Sequence, residues 1–327
     1  MSKVKNEFDV NKGYFGKHAN KILVIFVVSA FLIRMNYFPF DVPFSLDVLD
    51  YFGYAVNTSN FGGIPSEWFL ANNGWPLFLS VFFSIMPVES FFEYTNLQRM
   101  ISIIISVLTI IPVYLFCKKY FNEKLALIGA ALFIFNPVVI KYSLLAGNDV
   151  LFTMVVTFAL YFMVTTKQKT VYLSFILIGI LTIIRYEGLL LIIPFSILFL
   201  IRLRKEKKKC IVKFIFAIAC FLIIVLPFSI IDLENHGEDG LISHFSTSIK
   251  FVDSSIIQNM DSGEDWTDGI ENDRTQKFLL KGFENLFKMI IIITLPLSLF
   301  LIPYGVSRVF YKINYSKFII ICVGFTL

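Results

Sequence analysis

Between Ile211 and Ile231 the chain runs through twenty-one residues with a single charge, Lys213. A run of that length matches the ~20 apolar residues that cross a hydrocarbon core of ~30 Å. Comparable runs recur at 22–38, 99–117, 124–141, 149–165, 171–185, 188–203 and 286–303. Inside lipid the backbone must satisfy its own hydrogen bonds within the segment, so each run is expected as a helix. The runs are continuously apolar and lack the alternation of an outer-membrane barrel strand. With 57% hydrophobic residues, 38 Phe in 327 positions and a mean hydropathy of +0.74, a soluble globule is excluded. The sequence predicts an all-α fold, a polytopic transmembrane helical bundle.

Charge then sets the expected topology. Lys and Arg recur in 1–21, 117–124, 166–170, 203–210 and 304–317, which the positive-inside rule assigns to the cytoplasmic side. The net charge of +5 is therefore an orientation signal and not the footprint of a nucleic-acid partner. A further apolar stretch at 75–88 would invert this order if it crossed the membrane. It is expected instead as an interfacial helix in the first outer loop, with Trp75 and Pro76 at its start. The predicted organisation is a basic N-terminus at 1–21 and a transmembrane core at 22–231 carrying the outer loop 39–98. An acidic outer loop at 232–285 and C-terminal spans at 286–327 follow. Residues 318–327 reach only ~15 Å as a helix, so the chain is expected to be part of a longer protein. The expected location is an integral membrane protein of the cell membrane, or of the endoplasmic reticulum in a eukaryote.

Cys117, Cys210, Cys220 and Cys322 have no metal-ligand spacing and imply neither a disulfide frame nor a zinc site. His236 and His244 stand in the long outer loop, and a histidine in a polar loop is ordinarily just solvated. Asn57-Thr58-Ser59 is a glycosylation sequon of a kind that arises by chance.

Ionisable groups gather where the outer ends of the spans meet water. Asp47 and Asp50 follow the first span, Lys141 and Asn148-Asp149 bracket the loop after the third, and Arg185 and Glu187 form a hairpin between the fifth and sixth. Charges this close to hydrocarbon are costly unless paired or used. Taken singly, Asp149 or Asn148 is also an ordinary helix cap. Together they suit a sugar carried on a polyprenyl phosphate, whose reactive carbon lies at headgroup level. Transfer to a hydroxyl or amine needs a carboxylate to take the acceptor proton, a role for Asp47 with Asp50 in reserve. It also needs cations at the departing phosphate, a role for Arg185 and Lys141. Asp149 and Glu187 are placed to hold a metal or to orient the base.

This pattern resembles the integral-membrane C-type glycosyltransferases, in the branch of protein O-mannosyltransferases and lipid A aminoarabinose transferases. The elements that carry the resemblance are Asp47 with Tyr51 four residues on, Asn72-Asn73-Gly74-Trp75-Pro76-Leu77, Arg99, Lys118-Lys119, Asn136-Pro137, Asn148-Asp149 and Leu181–Gly188. They span roughly 20–200. Two departures stand out: Val48 replaces the second acid of an Asp-Glu pair, and Gly-Trp-Pro replaces the usual His-Pro-Pro or Lys-Pro form. The resemblance implies a polyprenyl- or dolichyl-phosphate sugar as donor and a protein or lipid as acceptor, on the face away from the cytoplasm. It adds Arg99 to the donor-phosphate cations and Tyr51 and Trp75 to the substrate contacts. Members differ in metal dependence, so a divalent ion, Mg or Mn, stays open as a cofactor.

Two other readings compete. A transporter or flippase for a lipid-linked solute would place its ionisable groups at mid-membrane depth, whereas here they stand at span ends. A truncated, inactive assembly partner is the other.

Overall fold

The computed structural model describes residues 14–40, 42–44, 47–70, 72–86, 90–165, 168–203 and 207–237. The basic residues before Tyr14, the acidic loop beyond Gly237 and the spans expected at 286–303 and 318–327 lie outside these. The described residues form helices and no strand: α1 (Tyr14–Asn36), α2 (Asp47–Phe61), α3 (Gly74–Ile85), α4 (Phe91–Leu108), α5 (Ile110–Cys117) and α6 (Glu123–Ile134). Then come α7 (Pro137–Leu145), α8 (Asp149–Val164), α9 (Gln168–Ile184), a 3-10 turn (Tyr186–Leu191), α10 (Ile192–Leu203) and α11 (Lys207–His236).

Among the described residues four helices are long and apolar enough to cross a membrane: His18–Asn36, Phe91–Cys117, Tyr186–Leu203 and Cys210–His236. Their outer faces carry the apolar side chains that lipid would cover, such as Leu32 on α1 and Ile223 on α11. The core between α1, α4, α5 and α6 is built on Ala30, Ile103, Val107, Ile110, Ala126 and Ala130. Small residues there let helix backbones approach closely.

Three expectations change. The span expected at 124–141 is not continuous: α6 and α7 are bent by 48°. Pro137 has no N–H and disfavours helical backbone at Asn136, whose side chain instead caps α7 by accepting from the Val138 N–H at 2.8 Å. The spans expected at 149–165 and 171–185 appear as shorter apolar helices, α8 and α9, which pack on each other. The second span opens well before Arg99, at Phe91, because Ser90 and Glu93 form a reciprocal capping box.

The stretch at 75–88 is a helix of 12 residues, α3. At ~18 Å it is too short to cross a ~30 Å core, and it packs against α2 and α9. The sequon Asn57-Thr58-Ser59 lies inside α2 with Thr58 buried.

Basic and acidic groups separate along α8. Near its C-terminus, Lys119 sits 5.3 Å from the Tyr161 ring and Arg202 donates to the Met163 carbonyl at 2.9 Å. Asp149 opens its other end.

Candidate functional site

The site is assembled around the last turn of α9. Gly188 has no side chain because a Cβ there would lie 2.5 Å from the Leu181 carbonyl carbon. Gly74 meets the same turn from α3, where a Cβ would lie 2.8 Å from the Ile184 nitrogen. These two contacts let the 3-10 turn and the start of α3 press on residues 181–184. The Tyr186 N–H donates to Asn72 Oδ1 at 3.0 Å, which ties the hairpin to the outer loop. Arg185 projects from this clamped backbone.

Its guanidinium is shared between two acids. Nη1 donates to Asp149 Oδ1 at 2.5 Å, and Nη2 and Nε donate to the Glu187 carboxylate at 2.8 and 3.3 Å. All three side chains are partly open to solvent. Exposed pairs of this kind add little to stability individually, so their convergence is better read as a polar site than as a staple.

Asn148 joins the cluster to α2. Its Nδ2 donates to the Tyr51 hydroxyl at 3.0 Å and to the Ile184 carbonyl at 3.4 Å. Because α2 begins at Asp47, Asp47 and Tyr51 are one turn apart on one face. Burial and Asp47 push the Tyr51 hydroxyl above its ordinary range, Arg185 pulls it down, and Asp149 and Glu187 add to the push. Asp47, Tyr51, Asp149, Arg185 and Glu187 therefore share one electrostatic environment, although up to 140 residues separate them in sequence.

The turn that presents Asn148 and Asp149 is unusual. Ala146 adopts left-handed backbone (φ 61°), a conformation that costs a non-glycine residue about 1 kcal/mol. Its carbonyl accepts from Trp75 Nε1 at 3.2 Å and Gln98 Nε2 at 2.9 Å, which hold the strained turn in place.

Not every expected residue joins. Asp50 is exposed on the first turn of α2 and is not among the charges that act on Tyr51. Lys141 is exposed on α7 and takes no part in these hydrogen bonds. Trp75, expected as a substrate contact, is fully buried and supports Ala146. Arg99 is also buried. It stacks 4.5 Å from the centre of the Phe44 ring and donates through Nη2 to the Val42 carbonyl, while its Nε and Nη1 have no hydrogen-bond partner. Those contacts fall on the loop leading into α2 and not on the Arg185 cluster.

Among the described residues no three His, Cys, Asp or Glu side chains converge enough to hold an ion. Of the acids expected to hold a metal, Asp149 and Glu187 are both engaged by Arg185.

Sequence reasoning passed over Asn72, Gly74 and Asn148 as site-builders, although all three stood in quoted motifs. It also passed over Arg34, the one charge inside the run 22–38.

The helical membrane architecture and this cluster at the span ends are the features that a comparison with known protein families can be set against. Residues 76–231, a little under half of the chain, match the family model described as dolichyl-phosphate-mannose-protein mannosyltransferase, consistent with the C-type superfamily. The matched segment contains Arg99, Asp149, Arg185 and Glu187; Asp47 and Tyr51 precede it. No curated protein and no solved structure matches the chain.

Proposed function

We propose that this chain transfers a sugar from a polyprenyl- or dolichyl-phosphate donor to a protein or lipid acceptor on the extracytoplasmic face, with mannose the first sugar to test. The observation that carries this is the Arg185–Asp149–Glu187 cluster, joined through Asn148 to Tyr51 one helical turn from Asp47, combined with the family match over 76–231. The acceptor hydroxyl attacks the anomeric carbon as its proton passes to Asp47. The bond from that carbon to the phosphate oxygen breaks, and the lipid phosphate leaves with the electron pair.

Arg185 is the cation for that developing charge. It is held by two carboxylates, so the donor phosphate replaces one of them as it binds. Arg99 stands apart from this cluster, buried against Phe44 and Val42, and is not assigned to the donor phosphate. Tyr51, kept neutral by burial and the acids around it, has its hydroxyl hydrogen available because its oxygen accepts from Asn148. The segregation of Lys119 and Arg202 to the opposite end of α8 supports the outward orientation, since basic residues favour the cytoplasmic side.

The test is transfer of radiolabelled mannose from dolichyl-phosphate mannose in membranes carrying the wild type or Asp47→Asn. Transfer that falls at least about a hundredfold in the variant, at equal membrane insertion, is expected for loss of a general base. Wild-type turnover by Asp47→Asn removes Asp47 from that role, and absence of transfer by the wild type across polyprenyl and dolichyl donors removes the assignment.

A further inference from the structure

Arg34 is fully buried inside the first span, and its hydrogen bonds go to four neutral oxygens. Nε donates to Ser143 Oγ at 3.1 Å, Nη1 to the Ala30 carbonyl at 3.1 Å, and Nη2 to Ser106 Oγ at 3.1 Å and the Ile134 carbonyl at 3.2 Å. A buried intramembrane cation is costly and calls for a reason.

The reason lies in the broken span. In a continuous helix the Val138 N–H would reach the Ile134 carbonyl, but it bonds to Asn136 Oδ1 instead. Pro137 offers no N–H to Phe133, and the Phe133 carbonyl accepts from the Asn136 N–H at 3.2 Å. Ile134 is the carbonyl left without its helical donor, and Arg34 supplies one. The same guanidinium holds Ser143 on the far side of the break and Ser106 on α4. One planar fork therefore fixes α6, α7 and α4 relative to each other. Three residues beyond Ser143 the chain enters the left-handed turn at Ala146 that delivers Asn148 and Asp149. A cavity of about 60 Å³ is lined in part by Ser106 of the Arg34 shell and by Tyr142, Asp149 and Thr153.

We propose that Arg34 is a positioning residue for the Asp149–Arg185 pair: it latches the 48° bend between α6 and α7 and so sets the turn that presents Asn148 and Asp149. Its relevance to catalysis rests on the glycosyltransferase reading above. Its structural content does not.

The test separates the two. A Cβ built on Gly147 lies 3.9 Å from Val48 Cγ2, so Val48→Cys with Gly147→Cys, in the full chain with its native cysteines replaced, reports the turn's place by disulfide formation. The Arg34 parent links readily. Arg34→Gln links at least about tenfold more slowly and Arg34→Lys falls between, because an ammonium cannot reach three directions at once. Equal rates in all three overturn the proposal, as does a parent that fails to link. If Arg34→Gln does not accumulate in membranes, Ser143→Ala decides: several-fold slower linking is expected, and an unchanged rate overturns the proposal. With native cysteines, Arg34→Gln lowers kcat for mannose transfer about tenfold or more while KM for the lipid donor stays within about threefold, as misplacement of reacting groups requires. A rise in KM alone overturns the positioning role. Absence of transfer by the parent removes the glycosyltransferase reading and leaves the cross-linking result standing.

Discussion

Arg185 and Asp149 meet through Nη1 and Oδ1 at 2.5 Å, joining the residue after α9 to the first residue of α8. The pair stands at the end of the bundle where α2 and α3 also begin. It makes a cation available at that end without leaving it unpaired before a substrate arrives.

Arg185→Ala removes the donors to Asp149 and Glu187 and leaves two carboxylates where the proposed donor phosphate would bind. Charge-assisted hydrogen bonds are each worth about 1.5–3 kcal/mol, so kcat/KM for the donor should fall at least about tenfold to a hundredfold. Steady-state transfer with varied donor checks this. Unchanged donor dependence would sink the role given to Arg185.

Gly188→Ala forces a methyl onto the Leu181–Thr182 backbone, where the nearest atom is 2.5 Å away. Backbone cannot swing aside as a side chain does, so the hairpin must shift, at a cost of about 1–3 kcal/mol. The expected result is a lower thermal midpoint in detergent together with lost transfer. A variant with native midpoint and turnover would show that the close approach does not matter.

If Arg185 is the cation that meets the phosphate, chelation should leave transfer intact, since among the described residues no three acids converge as a ligand set. Activity lost in EDTA and restored by Mg or Mn would mean that substrate groups complete a metal site.

Tyr54 on α2 gives a pH signature of its own. Burial pushes its hydroxyl up to about 12, with Asn73 opposing the shift and Asp232 adding to it. The unfolded side chain titrates at 10.0, so the unfolded state loses its proton first. The stabilisation is complete below pH 10.0 and disappears as pH climbs to about 12. Unfolding midpoints followed across that range should fall more steeply for the wild type than for Tyr54→Phe. Parallel curves would exclude Tyr54 as the source.

The membrane-helical class was legible because its signal is local. A run such as Ile211–Ile231 must become a helix in lipid, whatever surrounds it. Site composition was partly legible for a similar reason: Asp47 and Tyr51 are one turn apart, and Arg185 and Glu187 share a hairpin. Charge order set the stretch at 75–88 apart from the spans, and the helix found there, α3, has 12 residues.

What tertiary structure decided are the long-range pairings. That Asn148 would bridge Tyr51 and Ile184, that Trp75 would be buried under Ala146 instead of open to substrate, and that Arg99 would turn to Phe44 and Val42 all depend on how separate helices stack. The span expected at 124–141 runs through Pro137, where the chain in fact bends, and the Ile134 carbonyl freed there is met by an arginine a hundred residues earlier. Apolar runs specify which segments enter the membrane. Which of them touch is set by small residues, glycine contacts and buried polar groups seeking partners, and those partners are not neighbours in sequence.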